Sequence, residues 1–194
     1  MCVAGVARIV FFNKPYGVLS QFTPEGRWRG LRDFIPLPEV YVAGRLDADS
    51  EGLLLLTDDG RLQAQIAEPR HKLAKTYWVQ VEGAPDAPAL EHLRRGVRLR
   101  DFTTQPARVR PIAEPSDLWP RDPPIRYRAA IPTSWLEVII SEGKNRQVRK
   151  MFAAVGNKVQ SLERVAIGEV YLARLMTGHY RKLTPKEIDY LKNC

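Results

Sequence analysis

The chain has 194 residues, and 30 lysine and arginine residues against 22 aspartate and glutamate residues give a formal net charge of +8 at pH 7. Its composition, 44% hydrophobic and 27% charged, is that of a folded protein rather than a disordered chain. Two cysteines, Cys2 and Cys194, are too few for a disulfide framework or a cysteine-based zinc site. The excess of positive charge favours a polyanionic partner such as a nucleic acid.

Neither a membrane segment nor a secretory signal is predicted. The longest purely aliphatic run is 53–56, far below the ~18 residues that a membrane-spanning helix needs. Residues 1–8 lack a charged start followed by a sustained apolar segment. We therefore expect a cytoplasmic protein without a membrane partner.

The first part of the chain has the pattern of short strands separated by turns. Residues 8–12 (RIVFF) predict a buried strand, and residues 14–17 (KPYG) predict the turn after it. Further strands are predicted over 40–43, 53–56 and, from its alternating pattern, 76–81. Leu62 and Ile66 indicate a short helix before Pro69.

The second part of the chain is less regular. Asp86 can cap a helix that ends at Gly96. Residues 106–132 hold seven of the fifteen prolines and predict a long irregular excursion. A strand is expected over 135–140 and a helix over 145–155.

The last helix has the clearest start signal in the chain. Thr184 and Glu187 have the spacing of a capping box, and Pro185 occupies the first helical position. Strands and helices are interspersed without regular alternation along the whole chain. This order predicts the α+β class with a mixed, mostly antiparallel sheet and flanking helices.

A first cluster of polar residues, 44–52 (GRLDADSEG), runs directly into the apolar strand 53–56. Its three carboxylates, on Asp47, Asp49 and Glu51, would lie at the edge of the core. An ordinary polar loop would also use such residues. A calcium loop with its last ligand at Asp58 fits the spacing, but its flanks are strand-like rather than helical and that last ligand is not Glu.

A second cluster, 142–152 (EGKNRQVRKMF), places four cations on the first turns of the helix predicted there; they are Lys144, Arg146, Arg149 and Lys150. Cations at a helix N-terminus oppose the helix dipole, so helix propensity does not account for them. A solvated helix face is one interpretation. An anion site, or a partner for a carboxylate, explains their placement better.

The two clusters carry a family resemblance. GRLDADSEGLLLLT resembles the catalytic motif of RNA pseudouridine synthases, and EGKNRQVRKMFAAVG resembles the basic helix of their small-ribosomal-subunit branch. FNKPYGVLS and LERVAIG resemble the first and last motifs of that group. The proline-rich stretch is similar to that of members acting on the 23S RNA of the large ribosomal subunit. The resemblance runs in order from about Arg8 to Leu183.

The resemblance implies a pseudouridine synthase fold with a central active-site cleft. It implies that residues 1–7 are a tail and that 8–194 form the catalytic domain, as two half-domains sharing one sheet. Many relatives carry an S4 RNA-binding domain, and none is expected here.

The resemblance also implies the site residues. Asp47 is the expected catalytic carboxylate, Tyr77 stacks on the base, and Arg149 supplies a cation beside Asp47. Leu162 matches a pocket wall, although a core leucine fits equally well. Contacts with substrate or RNA are expected from Arg45, Leu162, Lys144, Arg146 and Lys150.

The expected activity is conversion of a specific uridine to pseudouridine in 23S ribosomal RNA by a monomer. The reaction loses no atoms and changes no oxidation state, so no cofactor and no metal ion are expected. Two alternatives stay open on the sequence: a synthase acting on another RNA such as transfer RNA, and a non-catalytic RNA-binding factor for ribosome assembly.

Overall fold

A computed structural model of the protein describes residues 8–67, 73–125 and 131–193. The predicted tail, residues 1–7, lies outside the described residues. The elements are, in chain order, β1 (Ile9–Lys14), a 3₁₀ turn (Leu31–Asp33), β2 (Tyr41–Ala43), β3 (Glu51–Thr57), α1 (Gly60–Ala67), β4 (Lys75–Glu82), α2 (Ala87–Arg95), β5 (Arg108–Ile112), β6 (Thr133–Ile140), α3 (Gln147–Ala154), β7 (Val159–Ile167), β8 (Val170–Tyr171), β9 (Tyr180–Lys182) and α4 (Pro185–Lys192). Among these helices, none has the length and hydropathy that a membrane span requires.

The chain divides into two compact units. Unit 1 comprises Met1–His71 and Leu175–Cys194, and unit 2 comprises Lys72–Arg174. In unit 1, β1 pairs with β3 on one side and β9 on the other, and β2 pairs with β3, all antiparallel. Every residue of β1 and β3 is buried. Such uninterrupted burial is expected where a strand is covered on both faces, and it accounts for the apolar runs.

Unit 2 contains an antiparallel sheet in the order β5-β6-β4-β7, with β8 added to β7. Burial alternates along β4, where Tyr77, Val79 and Val81 are buried and the residues between them are half-buried. One face of β4 is therefore in the core. The Asp86 carboxylate accepts from the Ala89 N–H at 2.8 Å and caps α2, as predicted.

The observed strands and helices confirm the α+β class and the predicted elements around 8–12, 40–43, 53–56, 76–81 and 135–140. The capping box is also present. The Thr184 hydroxyl accepts from the Glu187 N–H, and the Glu187 carboxylate accepts from the Thr184 N–H. Lys14, assigned by the sequence to a turn, is instead the last residue of β1.

The prediction of an irregular excursion over 106–132 was wrong for its first part, because β5 occupies Arg108–Ile112. Pro111 lies in this strand, opposite Leu136 of β6. Within unit 2, β5 is the edge strand, and an edge is where a sheet tolerates a residue without an N–H. A high density of prolines predicted irregular structure, but an edge strand can also contain proline, and such a strand forms here.

The helix predicted over 145–155 is shorter, since α3 begins at Gln147. Lys144 and Arg146 therefore precede it instead of lying on its first turns. Arg146 occupies the N-cap with φ of 52°, in the left-handed region. Its backbone conformation turns the chain into the helix, and its side chain is exposed.

Candidate active site

The loop between β2 and β3 carries Asp47, and hydrogen bonds fix its backbone on both sides of that residue. The buried Ser20 hydroxyl donates to the Leu46 carbonyl at 2.6 Å and accepts from the Leu46 N–H at 2.9 Å. The Ser50 N–H donates to the Asp47 carbonyl at 3.1 Å and closes a turn at the start of β3. Asp47 is thus held at a defined position where the polar loop enters the core.

Lys14 organises the neighbouring turn, a role that the sequence did not reveal. Its side chain is fully buried, and its ammonium donates to the carbonyls of Pro15 at 3.0 Å and Val18 at 2.8 Å. A buried charge needs such partners. This turn also supports the Asp47 loop, because the Gly17 N–H donates to the Ala48 carbonyl at 2.8 Å.

The acidic residues of this loop differ in burial. Asp47 and Asp49 are half-buried, whereas Glu51 is only 3% exposed. Arg45 is exposed, so its guanidinium can reach a ligand in solvent. Asp47 and Asp49 are therefore alike in burial.

The observed surroundings do not support a calcium loop. The strands β2 and β3 flank the segment, where a calcium loop has helices. Asp58, the proposed last ligand, forms an ion pair with Arg8 at 2.7 Å. Burial raises the pKa of Asp58, but hydrogen bonds and charge from Arg8 outweigh that effect and lower it. Within the described ranges, no three His, Cys, Asp or Glu side chains form a group that could hold a metal ion.

In unit 2, Tyr77 lies in the middle of the sheet and is 7% exposed. Its partner in β7 is Arg164, and two residues along, Val79 pairs with Leu162. Residues directly opposite, and residues two apart, share one face of a sheet. Tyr77, Leu162 and Arg164 therefore lie on the same face, which is compatible with Leu162 as a pocket wall and also with a core leucine.

Lys75 also belongs to this face, since it lies two residues before Tyr77 on β4. Burial lowers the pKa of Lys75 to about 8, and the charge of Arg164 adds to the effect. Its ammonium donates to the Leu73 carbonyl at 3.1 Å. The sequence signal for Lys75 is its position two residues before Tyr77 in an alternating strand.

Two buried polar residues fix the start of α3. The Gln147 amide donates to the Glu142 carboxylate at 2.5 Å and accepts from the Lys144 N–H at 3.1 Å. The same carboxylate accepts from the Gln105 N–H at 2.7 Å. Glu142 and Gln147 are 6% and 3% exposed. This arrangement positions the basic segment that follows Gly143.

The cations of the basic segment lie in different environments. Lys144 and Arg146 are exposed, and the Lys144 ammonium lies 4.4 Å from the ring centre of Phe102. Lys150 is half-buried and forms an ion pair with the exposed Asp101 at 3.4 Å. Arg149 is half-buried, and its guanidinium donates to the backbone of β7.

That Arg149 contact joins its Nη1 to the Val159 carbonyl at 3.5 Å. The guanidinium is thereby held against the sheet that carries Tyr77 and Leu162. Unit 2 thus contains Tyr77, Leu162 and the four cations, and unit 1 contains Asp47 and Arg45.

Comparison with known families accounts for these motifs. The model of the RNA pseudouridylate synthase family matches residues 8–154, which include Asp47, Tyr77 and Arg149. The chain belongs to this family. It is an RNA pseudouridine synthase by sequence and fold, and the family predicted from the sequence is confirmed.

Individual relatives agree with the assignment. A ribosomal large subunit pseudouridine synthase E of Vibrio vulnificus is 55% identical over 91% of this chain and 75% of that protein. A ribosomal small subunit pseudouridine synthase A of Vibrio cholerae is 36% identical over 93% of this chain and 72% of that protein. A crystal structure of a pseudouridylate synthase superposes with a TM-score of 0.80 and 32% identity, covering 96% of this chain and 74% of that one. The predicted fold is therefore confirmed as well.

Proposed function

We propose that this pseudouridine synthase converts a specific uridine of large-subunit (23S) ribosomal RNA to pseudouridine. The observation that carries the proposal is the similarity over nine tenths of the chain to relatives named for the large ribosomal subunit. The basic charge agrees with an RNA substrate. In this proposal the protein acts in the cytoplasm as a monomer. Sedimentation equilibrium with and without RNA tests this oligomeric state.

The reaction breaks the bond between C1′ and N1 of uridine, rotates the base and joins C1′ to C5. The proton on C5 leaves and N1 gains one, so the product is an isomer of the substrate. The base must leave any stack before it can rotate, which requires a pocket with an apolar or aromatic wall. Tyr77 and Leu162 supply such a wall in the proposal.

Asp47 is the proposed reactive group, because its carboxylate is carried on a hydrogen-bonded turn beside the core. It either attacks C1′ or removes a proton from the sugar to begin elimination. Arg149 provides positive charge for the ionised carboxylate, and Tyr77 stacks on the base and assists proton movement at C5.

The test compares Asp47→Asn with its matched control Asp49→Asn. With [5-³H]uridine-labelled 23S RNA, Asp47→Asn should reduce tritium release by about 10⁴-fold or more, while Asp49→Asn keeps most of it. Both variants should bind RNA with affinities near that of the wild type. Near-normal release by Asp47→Asn would overturn the assignment, and loss only in Asp49→Asn would place the reactive group two residues later.

The substrate is tested separately by mapping pseudouridines in a strain that lacks the protein. One position in 23S RNA should revert to uridine and be restored by the wild-type gene but not by Asp47→Asn. Loss of a transfer RNA position instead would change the substrate but not the chemistry. An unchanged set of pseudouridines in all RNAs would favour a non-catalytic assembly factor.

A further inference from the structure

An aromatic and basic cluster in unit 1 lies beside the Asp47 loop and has no role in the reaction as described. We call it the Trp28 platform, and it consists of Tyr16, Arg27 and Trp28. The Tyr16 ring meets the Trp28 ring edge-on, with centroids 6.1 Å apart and an interplanar angle of 79°. The Arg27 guanidinium carbon lies 4.3 Å from the Trp28 ring centre. The two aromatic residues are half-buried, whereas Arg27 is exposed.

Backbone hydrogen bonds define the conformation of the loop that carries the platform. Glu25 and Trp28 exchange two backbone hydrogen bonds, of 3.0 and 3.2 Å, around a turn in which Gly26 has φ of 59°. The Arg29 N–H donates to the Gly17 carbonyl at 3.1 Å. A Cβ on Gly17 would be 3.7 Å from the Trp28 ring, so the ring packs directly over this glycine.

The same glycine connects the platform to the proposed reactive group. Gly17 is the residue whose N–H donates to the Ala48 carbonyl, one residue after Asp47. The Trp28 ring therefore lies over a residue that is hydrogen-bonded to the Asp47 loop. A nucleotide next to the target uridine would reach this area, because neighbouring bases along a single strand are only one backbone unit apart.

Arg27 differs from Arg29, the other arginine of this loop that lies over an aromatic ring. Arg29 lies over Phe34 and also forms an ion pair with Asp33 at 3.1 Å. For Arg27, no carboxylate among the described residues lies within ion-pair distance. The charged guanidinium thus lies over the indole ring, and Arg27 is exposed to solvent. RNA bases stack on arginine planes presented in this way.

We infer that the Trp28 platform binds the base of a nucleotide flanking the target uridine, stacked on the Arg27 guanidinium. The inference rests on the proposed RNA substrate. The aromatic support distinguishes this role from a simple phosphate contact, because a phosphate requires charge but no flat surface.

The experiment uses the full-length protein and a short fluorescent RNA of adenosines with one central uridine. In matched RNAs, one flanking adenosine at a time is replaced by an abasic residue. For wild type, one abasic position should weaken binding by about 5- to 100-fold, the range for one base stacked on an aromatic or planar side chain. For Arg27→Lys, which keeps the charge but not the plane, the same abasic position should have little further effect.

Arg32→Ala is the control, since Arg32 is an exposed cation of the same loop outside the platform. It should retain the full penalty for the abasic position. Equal penalties in wild type and Arg27→Lys would overturn the inference and leave Arg27 as a charge alone. Thermal unfolding checks each variant, and Arg27 is exposed, so its replacement by lysine leaves the core intact. Because the readout is binding, it stays separate from the tritium assay that tests the proposed function.

Discussion

The burial of individual charged residues was the feature of the structure that the sequence predicted least well. Asp47 and Arg149 were predicted as site residues from their motifs, whereas no pattern indicated that Lys14, Lys75 and Glu142 are buried. All three of these are wholly or largely buried charges in the structure. Sequence patterns assign charge to the surface by default, because burial of a charge is favourable only with specific partners. Apart from the Gln147 side chain, which donates to Glu142, the partners described above are backbone carbonyls and N–H groups, which leave no sequence signal.

The motif and the structure together give a prediction for Arg149 that distinguishes a partner of Asp47 from a phosphate contact. Arg149→Ala should lower both turnover and stability. Loss of one member of a fully buried ion pair costs about 3–5 kcal/mol, and the half-buried Arg149 should cost less. Arg149→Lys should retain more activity than Arg149→Ala, since it keeps the charge without the forked geometry. Single-turnover rates and denaturant unfolding measure the two effects.

Arg146→Ala and Lys150→Ala are the matched controls on the same segment. They should weaken RNA binding and leave the rate at saturating RNA close to that of wild type. Three alanine variants that all weaken binding with an unchanged saturating rate would reduce Arg149 to a phosphate contact. A double-mutant cycle on stability with Asp47→Asn tests the predicted ion pair between Asp47 and Arg149.

At the scale of elements, strands with apolar runs were predictable, and strands with buried or edge charges were not. The predicted strands 8–12 and 53–56 correspond to β1 and β3, which are buried throughout. β7 was missed because Glu163 and Arg164 interrupt its apolar pattern, although both are buried. A hydrophobic pattern interrupted by charged residues is typical of a loop. The pairing with β4 shows that Glu163 and Arg164 instead lie within a strand.

The start of α4 gives a prediction about pH. The Glu187 carboxylate receives two hydrogen bonds from Arg181, of 2.7 and 2.9 Å, and accepts from the Thr184 N–H. The hydrogen bonds from Arg181 have the largest effect. Together with the Thr184 bond they outweigh burial, which acts in the opposite direction, and lower the pKa of Glu187 from 4.5 to about 2. The ionised form therefore stabilises the fold above pH 4.5, and this contribution is lost as the pH falls through about 2.

Glu187→Gln removes that contribution. Wild type should be more stable than the variant at pH 5, and the difference should shrink steadily towards pH 2. Urea unfolding midpoints of both proteins between these limits provide the measurement. A constant difference across the range would show that the carboxylate contributes through packing rather than through its charge.

At the scale of the whole molecule, the net charge of +8 predicts binding that depends strongly on salt. If the protein contacts about five phosphates, the logarithm of affinity should fall against the logarithm of salt concentration with a slope of magnitude about 3.5–4.5. Titrations of the RNA at several potassium chloride concentrations measure it. Arg146→Ala should reduce the slope by somewhat less than one, and a wild-type slope near zero would contradict the electrostatic contribution.

The edge strand β5 has a consequence for how copies of the protein behave towards one another. Along it, Arg108, Arg110 and Pro111 are exposed, and Arg110 forms an ion pair with Glu137 of β6 at 2.7 Å. Sheet edges recruit further strands through unpaired N–H groups, and proline and charged side chains impede this. A polyanion such as ribosomal RNA concentrates basic proteins along its length. Pro111, which obscured this strand in the sequence, and the charged residues beside it therefore hinder edge-to-edge aggregation of copies gathered on one RNA.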